Sequence, residues 1–502
     1  MTLIDVARRP HEAVVAPGGE TPARHPSGST LNWVISCSVV PMTSLVLAGF
    51  DPRLRHWMLI PVTLCGLLIG VDAIEWFRRR SDVFDPQAIV GLCGFHFFYL
   101  APILHVMLDY WAFDGLAPAD WRKALGSFAV LNAVGLLVYR MILPVARPAA
   151  ALRRKRTRTE LSEEAFCRTG VVACGLGIMA FLAEVYLFGG LDGFLSVMTE
   201  NRETLTGMGW LLVVGESFPL IATLVVLVRW RHVLRRRRAL LVLIMAALFA
   251  TQFFVAGMRG SRIGTLWPMI AALMVIHLLV VRITQRTVAV LALVFVVFMY
   301  SYGLYKGSGV EALGALKGQR SVSELAKENR RDLPYVLLSD LGRSDVQARI
   351  LHSIGSGSVR PAYGSTYLHG SAFLVPRYLL PERPEGTKVA VGTDITYGSG
   401  AYQAGYRSSR VYGVAGEGVM NFGALGGITA LVVFGFLVRF ARRFWSDAID
   451  NAGLAVKILA PSVVLVVVNM LMWDFDNTLW FIVKHVVPTF VVLWVASLSR
   501  AE

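Results

Sequence analysis

Long apolar runs recur along the whole chain, and they restrict most strongly what this sequence can fold into. A transmembrane helix needs about 20 mostly apolar residues, and twelve runs meet that requirement. Of the 502 residues 55% are hydrophobic and 17% are charged, whereas soluble domains carry about 25% charged residues. The sequence therefore predicts an all-α polytopic membrane protein, and it excludes a disordered chain, a disulfide scaffold and an ordinary cytosolic enzyme. The twelve predicted spans lie near residues 31–50, 57–75, 87–108, 125–145, 169–189, 208–228, 239–257, 264–281, 287–305, 417–438, 453–473 and 478–498.

The distribution of basic residues predicts the orientation. With the N-terminus in the cytoplasm, the inner segments hold 26 Lys and Arg residues and the short outer loops hold 7, as the positive-inside rule requires. The formal net charge of +15 is then mainly a topology signal. The basic runs 153–156 and 235–238 are interpreted as anchors facing anionic lipid, and no nucleic-acid partner is expected. Residues 1–30 and 499–502 are predicted cytoplasmic tails, and residues 31–305 and 417–498 are predicted to hold nine and three spans.

One long outer segment, residues 306–416, separates the ninth and tenth spans, and segments of this length are usually functional or separately folded. It combines helix-like sequence at 322–331 and 338–354 with a part rich in Gly, Tyr and Ser. Residues 306–412 hold 14 Lys and Arg against 9 Asp and Glu, a balance that suits an anionic or sugar-like ligand. Tyrosines such as Tyr367 either stack on sugar faces or pack this domain with their hydroxyls satisfied.

A short outer turn, Gly257 to Gly264, holds two arginines three residues apart, Arg259 and Arg262. Guanidinium groups and glycine-exposed N–H groups near a helix N-terminus favour a phosphate cradle. The alternative is that both side chains reach out to lipid headgroups.

The tenth span opens with Glu417 and Asn421, which the i,i+4 spacing places on one helix face. An ionisable residue at the mouth of a span is a functional candidate. The alternative interpretation is a glutamate that only favours the helix N-terminus electrostatically.

Two further arginines lie in the outer segment. Arg343 precedes Asp345 and His352 on a predicted helix, where these side chains form either one functional interface or a surface ion-pair network. Arg377 lies between two prolines that should stiffen its segment, and the alternative is a solvated arginine on a rigid loop.

The sequence contains no nucleotide-binding, dinucleotide-binding or zinc-protease motif and no nucleophile elbow. Asp474-Phe475-Asp476 has the spacing of some glycosyltransferase metal sites, but two carboxylates alone do not favour a metal. We therefore expect neither a cofactor nor a metal.

Together these features resemble the bacterial oligosaccharide repeat-unit polymerases, the Wzy-type O-antigen and exopolysaccharide polymerases. The resemblance covers the polytopic plan and, most specifically, residues 189–427. The sequence pieces that carry it are Gly189-Gly190 with Arg202, Gly260-Ser261-Arg262, Arg343-Ser344-Asp345, Tyr363-Gly364-Ser365-Thr366-Tyr367-Leu368, Val375-Pro376-Arg377 with Pro381, Gly416-Glu417 and Asn421-Phe422-Gly423. The sequence departs from the family pattern at Val375 and at Gly418.

The resemblance implies a metal-independent relative of the GT-C glycosyltransferases, working on the outer face of the bacterial cytoplasmic membrane. Such enzymes transfer a growing glycan from undecaprenyl diphosphate to a new lipid-linked repeat unit. The implied partners are undecaprenyl-diphosphate-linked oligosaccharide, membrane lipids and a chain-length regulator.

Departure of a diphosphate develops negative charge, which preorganised cations stabilise. On this hypothesis the expected diphosphate contacts are Arg259, Arg262 and Arg377, followed by Arg202 and Arg343. Tyr367 and Asn421 are expected to bind substrate. Glu417 is the first choice for the catalytic base, ahead of Asp345 and His352.

Two other functions fit the same features. An O-antigen ligase of the same superfamily shares the outer loop and the arginines. A flippase for lipid-linked sugars also has many spans, but transporters usually show internal repeats, and none is clear in this sequence.

Overall fold

The computed structural model describes residues 27–111, 117–143, 161–199, 209–258, 262–308, 321–328, 332–372, 374–375, 379–380, 382, 387–408, 410–450 and 452–498. Within these residues the regular structure is helical, without strands, as expected where backbone groups must be satisfied inside a bilayer. The helices are α1 Ser27–Phe50, α2 Leu59–Phe77, α3 Pro86–Met107, α4 Trp121–Ile142, α5 Glu163–Leu187, α6 Leu191–Thr199, α7 Gly209–Gly215, α8 Phe218–Arg229, α9 Arg231–Arg236, α10 Arg238–Gly257, α11 Arg262–Leu279, α12 Gln285–Ser308, α13 Val322–Glu328, α14 Ser344–Gly355, α15 Ser365–Ala372, α16 Lys388–Tyr397, α17 Gly413–Ile449, α18 Leu454–Met472 and α19 Phe475–Leu498.

The described residues include eleven helices that are long and apolar enough to cross a bilayer, counting α7 and α8 as one. The polytopic all-α prediction is therefore confirmed, and eleven of the twelve predicted spans have a matching helix. The remaining predicted span, 264–281, corresponds to α11, an 18-residue helix from Arg262 to Leu279. At 1.5 Å per residue α11 is about 27 Å long, close to a hydrocarbon core of about 30 Å.

The described part of the predicted outer segment packs against the helix bundle. Its helix α14 lies against α4 and α17, and Val346, Ala348 and Ile350 on α14 are buried. The predicted helical stretches 322–331 and 338–354 correspond to α13, which ends at Glu328, and to α14, which begins at Ser344. This packing brings the segment around Arg343 to the first turns of α17.

Helix α17 is broken at Phe422 and Gly423, so the predicted span 417–438 is not one continuous helix. Gly423 has φ 65° and ψ −157°, a conformation that is almost exclusive to glycine. A Cβ on Gly418 would collide with the Gly426 carbonyl, although residues eight apart on a straight helix are separated by about 12 Å. The short first part of α17, which carries Glu417, therefore folds back onto the long second part.

Replacing Gly423 by alanine should destabilise this turn, because a Cβ is strained at its φ and ψ. We expect the free energy of unfolding to fall by about 1–3 kcal/mol, measured as a lower apparent Tm of the purified protein in detergent. Gly303→Ala is the matched control, since a Cβ there meets no atom within 4 Å and alanine favours a helix. Equal Tm values for the two variants would contradict the assigned turn.

Several basic residues on the predicted cytoplasmic side hold the fold together as well as marking topology. Arg442 contacts Glu75 at 3.1 Å and Asp85 at 3.2 Å. Arg140 contacts the buried Asp72 at 2.8 Å. These ion pairs join α2, α4 and α17 with the N-terminus of α3.

Candidate functional site

Glu417 lies buried where the first part of α17 meets α15 and the N-terminus of α19. Only 2% of its surface is exposed. Its Oε1 accepts a hydrogen bond from the Thr366 hydroxyl at 2.9 Å, and its Oε2 accepts one from the Phe475 backbone N–H at 2.5 Å. Two hydrogen bonds therefore fix the carboxyl group in one orientation.

Asn421 lies one helical turn beyond Glu417 and completes the same arrangement. Its Nδ2 donates to the Thr366 hydroxyl at 2.7 Å and to the Glu417 carbonyl at 2.9 Å. Its Oδ1 accepts from the Gly364 backbone N–H at 3.0 Å. The predicted shared face of Glu417 and Asn421 is thus observed, and it binds the Gly364–Thr366 part of the outer segment. Thr366 was recognised only as part of the Tyr363–Leu368 piece, because an isolated hydroxyl carries no spacing signal.

A buried lysine joins the two aspartates of the Asp474-Phe475-Asp476 triplet. Lys388 Nζ lies 3.0 Å from Asp474 Oδ2 and 3.1 Å from Asp476 Oδ1. Asp474 Oδ1 also accepts the backbone N–H groups of Tyr412 and Gly413, at 2.6 and 3.0 Å. Burial alone would lower the pKa of Lys388, but the two carboxylates raise it above its ordinary value. Lys388 therefore stays charged at neutral pH.

Lys388 occupies the place between Asp474 and Asp476 where a metal ion would bind. Among the described residues no group of three or more His, Cys, Asp and Glu side chains is placed to hold a metal ion. The positive charge between Asp474 and Asp476 comes from Lys388, which sequence reasoning missed because it lies 86 residues before Asp474.

Arg343 and Arg262 approach the same region from two other helices. Arg343 immediately precedes α14 with a left-handed φ of 62°, and its Nη1 donates to the Val411 carbonyl at 3.1 Å. Its guanidinium is buried, which lowers its pKa, and it interacts electrostatically with Asp474 and Asp340. Arg262, the first residue of α11, contacts Asp340 at 2.9 Å.

Together these contacts define one charged cluster that lies beyond the ends of α11 and α18. Arg262 contacts Asp340, and Lys388 contacts Asp474 and Asp476, while Asp474 attracts Arg343 and repels Glu417 electrostatically. The members of the charged cluster are Arg262, Asp340, Arg343, Lys388, Glu417, Asp474 and Asp476. Five segments that are far apart in sequence supply them.

Other predicted site residues occupy different positions. Asp345 is buried, and its Oδ1 accepts the N–H of Val346 at 2.8 Å, so it caps the start of its own helix. His352 is exposed two turns further along α14. The Tyr367 ring packs edge-on against Phe475 at 5.5 Å, as the packing alternative expects. Arg202, Arg259 and Arg377 lie outside the described residues.

Comparison of the chain with protein-family models, with curated proteins and with solved structures finds no match. What the chain does is therefore inferred from the charged cluster. Fixed cations and a buried, oriented carboxylate lie together at the end of an apolar helix bundle. Such an arrangement suits a lipid-linked substrate with an anionic reacting group.

Proposed function

We propose that the protein is a membrane glycosyltransferase that polymerises undecaprenyl-diphosphate-linked oligosaccharide repeat units into O-antigen or exopolysaccharide. The observation that carries the proposal is the placement of the buried Glu417 carboxylate in one cluster with Arg262, Arg343 and Lys388. The positive-inside distribution supports cytoplasmic termini and an active site on the outer face of the bacterial cytoplasmic membrane. The family resemblance supports the substrate class.

In the proposed reaction an acceptor hydroxyl oxygen bonds to the anomeric carbon of the donor glycan. The bond between that carbon and the diphosphate oxygen breaks, and undecaprenyl diphosphate leaves with the bonding electrons. Glu417 takes the proton of the attacking hydroxyl. The energy of the step is already stored in the sugar–diphosphate bond, so no nucleotide is consumed.

Arg262 and Arg343 are the described groups best suited to stabilise the leaving diphosphate. A guanidinium has five N–H donors, so Arg262 can hold Asp340 and a phosphate oxygen at the same time. Arg262 is held by Asp340 and Arg343 by the Val411 carbonyl, so both guanidinium groups are in position before substrate arrives. Fixed charges of this kind cost no reorganisation at the moment of reaction.

Arg262→Ala should reduce polymer extension by about 10²–10³-fold, the effect expected from removing one preorganised donor to a developing charge. Polymer is measured by gel electrophoresis of surface glycan in cells with normal membrane levels of the variant. Full-length polymer from Arg262→Ala would contradict the assignment.

Asp340→Asn is the matched control for Arg262→Ala, because it breaks the same ion pair but keeps the cation. We expect this variant to retain most of its polymer. An equal loss in both variants would assign Arg262 a structural role through the ion pair.

The glycan pattern of cells that lack the protein distinguishes a polymerase from a ligase. Loss of a polymerase leaves a single repeat unit on the acceptor, whereas loss of a ligase leaves long polymer on the lipid carrier. The proposal predicts the first pattern for a deletion strain.

A further inference from the structure

Two tyrosines outside the charged cluster form an exposed stacked pair. The rings of Tyr397 and Tyr406 lie 5.4 Å apart between centroids, with 30° between their planes. Their exposed fractions are 40% and 57%. The pair presents two adjacent aromatic faces that a ligand can contact.

The loop that carries the pair is held in one conformation. The Tyr402 backbone N–H donates to Asp394 Oδ1 at 2.9 Å, and the Tyr406 N–H donates to the Ala401 carbonyl at 3.1 Å. The Arg407 guanidinium donates to the carbonyls of Tyr402 and Tyr406, at 2.7 and 2.6 Å, and covers the Tyr402 ring at 4.0 Å. A surface that is ordered in advance loses little conformational entropy when a ligand binds.

The composition of the loop indicates the chemistry of its ligand. Between Gly398 and Ser408 the side chains are small, polar or aromatic, and the largest aliphatic side chain is alanine. A loop that inserts into lipid carries larger apolar side chains such as Leu or Phe. Aromatic faces bordered by hydroxyl, amide and guanidinium groups instead match a sugar, which has apolar C–H faces and polar edges.

Helix α16 connects this loop to the charged cluster. It begins at Lys388, which binds Asp474 and Asp476, and ends at Tyr397. Nine residue steps of 1.5 Å separate the two ends by about 14 Å. The tyrosine pair therefore lies within the reach of a short oligosaccharide from the charged cluster.

We propose that Tyr397, Tyr406 and Arg407 form a glycan-docking platform that holds the sugar chain of a lipid-linked substrate outside the charged cluster. This inference rests on the proposed function. The platform keeps the growing chain near the enzyme between successive additions. Loss of the platform should therefore shorten the polymer without stopping the reaction.

The test compares wild type with the double variant Tyr397→Ala/Tyr406→Ala as full-length protein in lipid nanodiscs. The probe is the free oligosaccharide released by mild acid from the lipid-linked repeat unit of the source cells. We expect its affinity to fall about fivefold or more, since two aromatic faces are removed, and the mean polymer length to fall while the number of chains started is kept. Tyr397→Phe/Tyr406→Phe, which keeps both rings, should retain most of the affinity.

Tyr186→Ala is the control for loss of an exposed tyrosine elsewhere, because Tyr186 is 83% exposed at the end of α5. Oligosaccharide affinity and polymer length unchanged in the double alanine variant would overturn the platform. If wild type binds the oligosaccharide through the pair but extends no lipid-linked substrate, the platform stands and the proposed polymerase function fails.

Discussion

Glu417→Gln is expected to reduce the rate of polymer extension by about 10²–10⁴-fold, the range that a positioned general base contributes. Glutamine keeps the shape of the side chain and an oxygen that accepts the Phe475 N–H, while its amide cannot take a proton from the acceptor hydroxyl. The loss should therefore appear in catalysis, with the apparent Tm close to that of wild type. The measurement is the initial rate of undecaprenyl diphosphate release by the purified variant.

The other two predicted bases provide the controls. His352→Ala removes an exposed side chain, and Asp345→Asn keeps an oxygen for the Val346 N–H that Asp345 caps. We expect both variants to extend polymer at rates close to wild type. A wild-type rate for Glu417→Gln, or an equal loss of rate in either control variant, would contradict the assignment of Glu417 as the catalytic base.

Lys388→Met should destabilise the protein by about 3–5 kcal/mol, because breaking a buried ion pair leaves an uncompensated charge. Without Lys388, the fully buried Asp474 faces Asp476 with no cation between them. The apparent Tm in detergent measures the effect. The free energy involved is a large fraction of ordinary stability, so the yield of folded protein should also fall.

A double variant tests the cause of this destabilisation. In Lys388→Met/Asp474→Asn the buried charge is gone, and the asparagine Oδ1 still accepts the N–H groups of Tyr412 and Gly413. We expect it to recover much of the lost stability. Asp476→Asn is the mild control, since 36% of the Asp476 side chain is exposed and such pairs contribute about 0–1 kcal/mol. No recovery in the double variant would contradict the ion-pair explanation.

The spans could be predicted from sequence because each one is a local run of apolar residues. The break in α17 could not, since Gly423 lies in a sequence that is as apolar and glycine-rich as its neighbours. Only the close approach of Gly418 and Gly426 requires the chain to turn back there. Span counting therefore placed Glu417 near the start of a predicted span and missed the break in the helix that carries it.

Part of the charged cluster was recognisable in the sequence. Glu417 and Asn421 share a face through i,i+4 spacing, which is a local signal. Thr366 contacts Glu417, which lies 51 residues further along the chain, and Lys388 contacts Asp476, 88 residues further along. Sequence periodicity does not predict contacts between residues so far apart.

The same limit applies to the charges inside the spans. Lys484 lies inside the last predicted span, and the structure pairs it with Glu216 near the break between α7 and α8. Arg140 and Arg442 were counted as topology anchors, yet both bind buried or half-buried carboxylates. A charge count predicts the side of the membrane, but it does not predict which partner a charge finds.

The most direct test of the proposed polymerase function is an assay for extension of a lipid-linked repeat unit by the purified protein in nanodiscs. We expect a ladder of products that grow by one repeat unit, with one undecaprenyl diphosphate released for each bond formed. The same ladder should form without added nucleotide. Unchanged substrate, or transfer of finished glycan only to an acceptor that carries no lipid diphosphate, would contradict the proposed polymerase function.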